Sequence, residues 1–143
     1  MNKEKAQELM MEHTDFISMY TNWIKDHSAQ RIINGYTEIT TPVLDAHNDT
    51  IQFYVQRKDN EFIFTDDGYT IADLEMNGVN ISKGKRRELL ISVADSLNIT
   101  IENGAITAKA FDPSQVAQTE HLMIQAMMKI GDMFNHSSNS GKP

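Results

Sequence analysis

Cysteine is absent from this chain of 143 residues. Its absence excludes disulfides, thiolate metal sites and cysteine nucleophiles, and it is typical of proteins in a reducing compartment. Long apolar runs are missing too, and the charged start Met1–Lys5 has no apolar stretch of the kind that forms a signal peptide. The sequence therefore predicts a cytoplasmic protein with no membrane partner.

Positive charge is also scarce, with 13 Lys and Arg residues against 20 Asp and Glu residues and a formal net charge of −7. A field of this sign repels phosphate backbones, so we do not expect duplex nucleic acid as a partner. With 40% hydrophobic residues, the chain has the length and composition of one globular domain. We expect a single domain over residues 1–135 and a flexible Ser/Asn/Gly-rich tail over residues 136–143.

Apolar residues at helical spacing predict an amphipathic helix over Lys3 to His27, with Asp15 as a possible second start. Trp23, the only tryptophan, lies on the apolar face of that helix and is expected in the core. Three segments rich in β-branched and aromatic residues then predict an antiparallel meander. They are Tyr36–Leu44, Ile51–Arg57 and Glu61–Thr65.

Two short helices should follow the meander, one capped by the box-like pattern Thr70 to Asp73 and one beginning at Ser82. The dipeptide Asn103-Gly104 predicts a tight hairpin, because both residues tolerate positive φ. Asp112-Pro113 then opens a last helix that runs to about Phe134. The predicted class is α+β, an antiparallel sheet of about five strands with helices packed on it, in the order α-βββ-αα-ββ-α. By analogy this arrangement resembles the sandwich of secretion chaperones.

Polar residues are concentrated around two predicted turns of the meander, and we expect them to form a binding surface. The candidate binding residues are Asp45, His47, Asn48, Asp49, Asp66, Asp67 and Tyr69. Turn chemistry alone is the competing interpretation, because Asp and Asn bond their own backbone and Gly68 supplies an unusual φ. If the carboxylates and the imidazole converge, they could hold Mg²⁺, which accepts a few carboxylates and keeps several waters.

The only basic cluster lies at a predicted helix start, where positive charge opposes the macrodipole. Its members Lys83, Lys85, Arg86 and Arg87 are the second group of candidate binding residues. Together with the N–H groups of the helix start they would suit phosphate or an acidic protein surface. A solvated turn is the competing interpretation.

No catalytic residue can be assigned from the sequence. A nuclease of the restriction-endonuclease type requires an acidic residue and then Glu/Gln-x-Lys on the next strand. Asp49 with Gln56-Arg57-Lys58 fits this pattern only loosely, because the lysine falls at a predicted turn. An enzyme is therefore the less favoured interpretation.

Several of these segments also carry a family resemblance. Thr40–Asp45, His47–Asp49 and Thr65–Ile71 resemble the domain-of-unknown-function family eighteen twenty-eight, and the resemblance spans about residues 15 to 135. The resemblance implies a source among phages, mobile elements and low-GC Gram-positive bacteria. It also implies a stand-alone or N-terminal-domain version, because a second domain often follows in that family. It carries no established catalytic residues.

Taken together, these features predict a non-enzymatic binding protein of a phage or mobile element, without a cofactor, in the cytoplasm of a bacterial host cell. Its sharpest form is an inhibitor of a host defence system that binds a protein or an anionic ligand. One alternative is a Mg²⁺-dependent nuclease or phosphoesterase that uses Asp45, Asp49, Asp66 and Asp67. Another is a chaperone-like homodimer.

Overall fold

Two short helices, α1 (Lys3–Glu12) and α2 (Phe16–Asp26), begin the chain in the computed structural model, which describes residues 2–133. The Asp15 carboxylate accepts the backbone N–H of Ser18 at 3.0 Å and so caps α2. The second start expected at Asp15 is confirmed, and the single helix from Lys3 to His27 is wrong. A side chain that bonds the backbone in this way starts a new helix rather than continuing an old one.

The expectation that Trp23 lies in the core is wrong as well. Neither α1 nor α2 contributes a buried residue, and Trp23 is 47% exposed although its ring stacks on that of His27. Helical periodicity identifies an apolar face, but it does not specify what covers that face.

The sheet has six strands rather than about five, and all of its neighbouring pairs are antiparallel. Its order is β1-β2-β3-β4-β6-β5. The strands are β1 (Ala29–Ile33), β2 (Tyr36–Leu44), β3 (Thr50–Lys58), β4 (Glu61–Thr65), β5 (Thr100–Glu102) and β6 (Ala105–Ala110). The additional strand is β1, which joins β2 through Asn34 and Gly35, both at positive φ. Pro42 lies where the register of β2 against β3 shifts between Thr40 and Leu44.

Three further helices, α3 (Tyr69–Met76), α4 (Gly84–Ser96) and α5 (Val116–Asp132), complete the fold, with a short 3-10 helix at Pro113–Gln115. Helix α5 packs on β6 and β4 and also on α3. One apolar core joins these helices to the sheet. Its most buried large side chains are Phe53, Phe64, Ile51, Ile81, Leu90, Ile106, Met123 and Ile130.

The α+β class is confirmed, and the order of elements is αα-ββββ-αα-ββ-α. Asn103 and Gly104 form the expected hairpin turn, at φ of 51° and 77°. Helix α4 begins at Gly84 with Lys83 as its N-cap, whereas the hydroxyl of Ser82, the expected start, bonds Asn80 at 2.7 Å. Phe134 and the expected tail 136–143 lie outside the described residues. Over the range 2–133, no helix combines the length and the apolar character needed to cross a membrane.

Candidate functional site

The candidate site lies where β3 extends past its neighbour β4. Tyr54 of β3 pairs with Thr65, the last residue of β4, so the preceding β3 residues have no partner on that strand. A cavity of about 350 Å³ is lined by this part of β3, by the turn between β2 and β3, by α3 and by α5. Its lining residues are Asp45, Ala46, His47, Asp49, Thr50, Ile51, Gln52, Tyr54, Asp66, Tyr69, Thr70, Asp73, Met127 and Gly131.

The turn between β2 and β3 is held by the carboxylate of Asp45. Its Oδ1 atom accepts the backbone N–H of His47 at 2.8 Å and that of Asp49 at 3.0 Å. The Asp45 backbone N–H in turn donates to the Asp49 carbonyl at 2.8 Å. Asn48 sits at a φ of 61° and is not among the residues that line the cavity. Turn chemistry therefore occupies one oxygen of Asp45, while its Oδ2 atom accepts the hydroxyl of Tyr69 at 3.4 Å.

His47 and Asp73 form an ion pair across the cavity, with 2.8 Å between Nε2 and Oδ2. The hydrogen bond to Asp73 and its negative charge raise the pKa of His47, and Asp45 and Asp49 act in the same direction. The two side chains keep 45% and 28% of their surface exposed. The pair is therefore accessible to a ligand, and the surrounding carboxylates favour the protonated imidazole.

Asp66 also lines the cavity, but it is 1% exposed and its oxygens are occupied. Its Oδ1 atom accepts the N–H groups of Gly68 and Ile106, both at 2.9 Å, and its Oδ2 atom accepts that of Thr70 at 3.0 Å. These bonds tie the end of β4 to the first turn of α3 and to β6. Asp66 is thus a structural carboxylate, since a buried charge requires such partners.

The capping box expected at Thr70 and Asp73 is wrong. The N-cap of α3 is Gly68, at a φ of 82°, and it makes no side-chain cap bond. Thr70 is buried in the first turn of the helix, and its N–H is satisfied by Asp66. Asp73 is therefore available to reach His47.

Tyr69 and Tyr54 both line the cavity, and the Tyr69 hydroxyl donates to Asp45 Oδ2, whereas the Tyr54 hydroxyl bonds Glu38, which does not line this cavity. Burial raises the pKa of Tyr69, and the charges of Asp45 and Asp73 raise it further. Burial likewise raises the pKa of Tyr54, followed by the charges of Glu38 and Asp67. Both hydroxyls are protonated at neutral pH and can donate hydrogen bonds.

Asp67 does not join this cavity, although it follows Asp66 directly. It lines a neighbouring cavity of about 300 Å³ together with Tyr54, Tyr36 and Glu38. Glu38 is buried there and accepts Arg31 Nε at 2.8 Å. The seven candidate residues of the meander are therefore divided: five line one cavity, Asp67 lines another, and Asn48 lines neither.

The basic candidates form a separate feature at the start of α4. Lys83 is the N-cap and Lys85, Arg86 and Arg87 occupy the first turn of the helix. None of these four residues lines the acidic cavity. The structure keeps the basic and acidic candidate groups apart.

The magnesium set expected from the sequence is also divided, because Asp66 is saturated and Asp67 faces elsewhere. Across residues 2–133 no group of three His, Asp or Glu side chains is arranged to hold a metal ion. The arrangement that remains is two tyrosines, one histidine and the carboxylates of Asp45, Asp49 and Asp73 around an open cavity.

Gln52, Tyr54 and Asp73 are polar residues of this cavity that the sequence did not identify as site residues. A signal for Asp73 was present, because it follows Tyr69 by four residues and such pairs share one face of a helix. Gln52 and Tyr54 lie two residues apart on β3 and so share one face of the sheet. No local pattern separates them from the rest of the strand.

Comparison with known families found one match. A family model described as "Domain of unknown function DUF1828" matches residues 41–130. That range contains every residue that lines the acidic cavity except Gly131, whereas α1, α2 and β1 lie before it. Neither the curated proteins nor the solved structures gave a match, so the likeness to secretion chaperones remains an analogy.

Proposed function

The chain belongs to the family of the domain of unknown function DUF1828, and we propose that it is a binding protein whose acidic cavity takes a positively charged side chain of a protein partner. The observation that carries the proposal is the cavity between the β2–β3 turn and α3. Its accessible charges are the carboxylates of Asp45, Asp49 and Asp73, with His47 as the only basic group among the residues that line it. A field of this sign attracts cations and repels anions.

The aromatic lining supports the same ligand. Tyr69 contributes a ring and a protonated hydroxyl beside Asp45, and Tyr54 also lines the cavity. A guanidinium or ammonium group gains from both, since it can lie over an aromatic ring and donate to a carboxylate. A volume of about 350 Å³ lies near the lower end of the range for ligand pockets, and it suits one side chain.

The same charges argue against an anionic ligand in this cavity. They also weaken the alternative of a metal-dependent nuclease or phosphoesterase, because a phosphodiester would approach a surface of its own sign. The lack of a metal-binding group within residues 2–133 points in the same direction. We therefore propose a binding protein rather than an enzyme.

In its sharpest form the proposal places the protein in a phage or mobile element, with a component of a host defence system as the partner. This form rests on the family resemblance and not on the cavity. The cavity contributes the chemical requirement, an exposed Arg or Lys on the partner.

The test uses a variant that removes charge and preserves the turn. In Asp45→Asn the amide oxygen can still accept the N–H groups of His47 and Asp49, so the loop should keep its shape. We combine it with Asp73→Asn. The control is Asp59→Asn, which neutralises one carboxylate in an exposed turn between β3 and β4, away from the cavity.

The wild type and Asp59→Asn are each expected to retain a stoichiometric protein partner from a host lysate, and free arginine should elute it. The double variant should bind that partner at least roughly thirtyfold more weakly, because it loses two charge-assisted contacts. Retention of the same partner by all three proteins, with equal affinity, would mean that the cavity is not the binding site.

A further inference from the structure

A second surface lies outside the acidic cavity, on α2. It consists of the apolar side chains Phe16, Ile17, Met19, Tyr20 and Trp23, which we call the α2 face. Their exposed fractions are 62%, 77%, 62%, 64% and 47%. No charged residue occurs between Phe16 and Ile24. At 100° per residue these side chains form one continuous apolar arc along the helix.

The chain itself does not cover this face over the residues that the structure describes. Helix α2 has no buried residue, and only Ile24 among its apolar side chains is half-buried. Between α2 and α5 lies an apolar groove of about 580 Å³, lined in part by Tyr20, Ile24, Phe53 and Ile124. Helix α2 is therefore separated from α5 by this groove and does not pack closely against it.

The exposed area is the size that a stable interface requires. With the ordinary areas of such side chains, the α2 face exposes roughly 600 Å² per molecule, so two copies would bury roughly 1,200 Å² together. That exceeds the roughly 1,000 Å² expected of a specific interface. A patch of this size lies at the upper end of what monomers expose, and such patches often mark interaction sites.

We propose that a second copy of this chain covers the α2 face, with the two α2 helices packed antiparallel about Tyr20. An uncharged apolar surface is best covered by another uncharged apolar surface. The α2 face of a second copy is such a surface and has the same length. Antiparallel packing aligns the macrodipoles favourably. It also places Asp15 of one copy at the level of Lys25 of the other, because both are five residues from Tyr20.

A membrane surface fits the α2 face less well than a second copy does. Helices that lie on membranes usually carry Lys and Arg on their polar face. Helix α1 has two lysines against three glutamates, and α2 with its cap has one lysine against two aspartates. Both helices would be repelled by anionic lipids.

The dimer is independent of the acidic cavity. The α2 face precedes residue 41, where the family match begins, whereas the acidic cavity lies almost entirely within that match. Loss of one function should leave the other intact. A failure of self-association therefore says nothing about the cavity, and the two experiments have separate readouts.

The first experiment measures self-association of the full chain by sedimentation equilibrium. The wild type is expected to be a dimer, and Trp23→Ser should weaken the dimer roughly tenfold or more, as expected for a central aromatic side chain. Asn22→Ser, on the opposite side of the helix, is the matched control and should leave the dimer unchanged. Far-ultraviolet circular dichroism should report the same fold for all three, because α2 buries no residue in the core. A monomeric wild type up to its solubility limit would overturn the proposal.

The second experiment tests the antiparallel arrangement of the two α2 helices by cysteine cross-linking. The chain has no cysteine of its own, so only the introduced thiol can form a disulfide. Tyr20→Cys should form an intermolecular disulfide under mild oxidation, whereas Asn22→Cys should not. A mixture of Phe16→Cys and Ile24→Cys should cross-link more than either alone, because antiparallel packing places these positions opposite each other. Cross-linking of Phe16→Cys mainly with itself would contradict the antiparallel arrangement.

Co-sedimentation of the wild type with phosphatidylserine vesicles as a monomer would refute the dimer in favour of a lipid surface.

Discussion

Two acidic segments border the same cavity, but the carboxylate of one is buried and holds the fold together, whereas the carboxylates of the other lie near solvent. In the helix-start segment, Asp66 to Thr70, the carboxylate of Asp66 is buried and accepts three backbone N–H groups. In the rim segment, Asp45 to Asp49 with Asp73, the carboxylates lie near solvent and pair with His47 and Tyr69. The local chemistry of the two segments is similar, since both are Asp-rich turns with a residue at positive φ.

The difference follows from the backbone N–H groups that each carboxylate accepts. Asp45 satisfies N–H groups within four residues of itself, so its turn is self-contained. Asp66 also accepts the N–H of Ile106 on β6, forty residues away in the chain, and so extends the hydrogen bonding between β4 and β6 to the start of α3. A substitution in the rim segment should change binding, whereas one in the helix-start segment should change stability.

The largest effect that follows from this comparison is expected at Asp66. In Asp66→Asn, an NH₂ group replaces one of the two carboxylate oxygens that accept backbone N–H groups. An NH₂ group cannot accept a hydrogen bond, so at least one backbone N–H is left without an acceptor in the core. We expect the free energy of unfolding to fall by about 2–3 kcal/mol, measured by urea denaturation. The paired control is the neighbouring Asp67→Asn, where the side chain is exposed and Asn tolerates the φ of 58°. Equal losses at the two positions would contradict the structural role given to the buried bonds of Asp66.

A smaller effect is expected at Gly68, the residue that turns the chain into α3. Its φ of 82° is unfavourable for any residue with a Cβ atom, although the added atom would meet only the Gly104 carbonyl at an ordinary 3.5 Å. Gly68→Ala should therefore cost about 1–2 kcal/mol of unfolding free energy through backbone strain alone.

Gly131→Ala provides the comparison for that measurement. Gly131 lies inside α5, and a Cβ there would meet Thr70 Cγ2 at 3.5 Å, again an ordinary contact. Because Ala is the better helix former, this variant should be unchanged or more stable by up to about 1 kcal/mol. If both glycine variants lost stability to the same extent, crowding rather than φ would be the cause.

The parts of the fold that the sequence predicted are those with local signals. Asn103-Gly104 specifies its hairpin by turn chemistry, and Asp15 specifies the start of α2 by its cap. Strand β1 gave no such signal, because four of its five residues are exposed and no alternating pattern marks a buried face. Trp23 was misassigned because it did have a local signal, the apolar stripe of its helix. Such a stripe does not show whether its own chain or another molecule packs on it.

The sequence predicted the region of the candidate site, but it did not predict the roles of the individual residues there. The position of the acidic turns along the chain showed where polar side chains would gather. It did not show that Asp66 bonds Ile106, or that Asp66 and Asp67 face different cavities, because both depend on the packing of β4 against β6. Asp73 was assigned to a helix cap, and only the position of the β2–β3 turn makes it the partner of His47.

The smallest effect is expected at the exposed ion pair of the rim segment. The pKa of His47 is raised in the folded protein, so the pair contributes stability that is fully present below the unfolded pKa of about 6.5 and is lost as pH rises through the folded pKa. Asp73→Asn removes the main cause of the increase and should lower the pKa of His47. An NMR titration of the His47 ring protons measures this directly. The stability difference between wild type and variant should be small, as for other surface pairs, and should vanish above the folded pKa.

Asp59→Asn makes the same change of charge away from the rim segment and should leave the His47 titration where it is in the wild type. The control matters because the whole chain is acidic, with a net charge of −7, and any lost carboxylate could shift a histidine slightly. If Asp59→Asn moved the pKa of His47 as far as Asp73→Asn does, the increase would come from the overall field. The 2.8 Å contact would then have no specific role, and the rim segment would be acidic surface rather than a site arranged around His47.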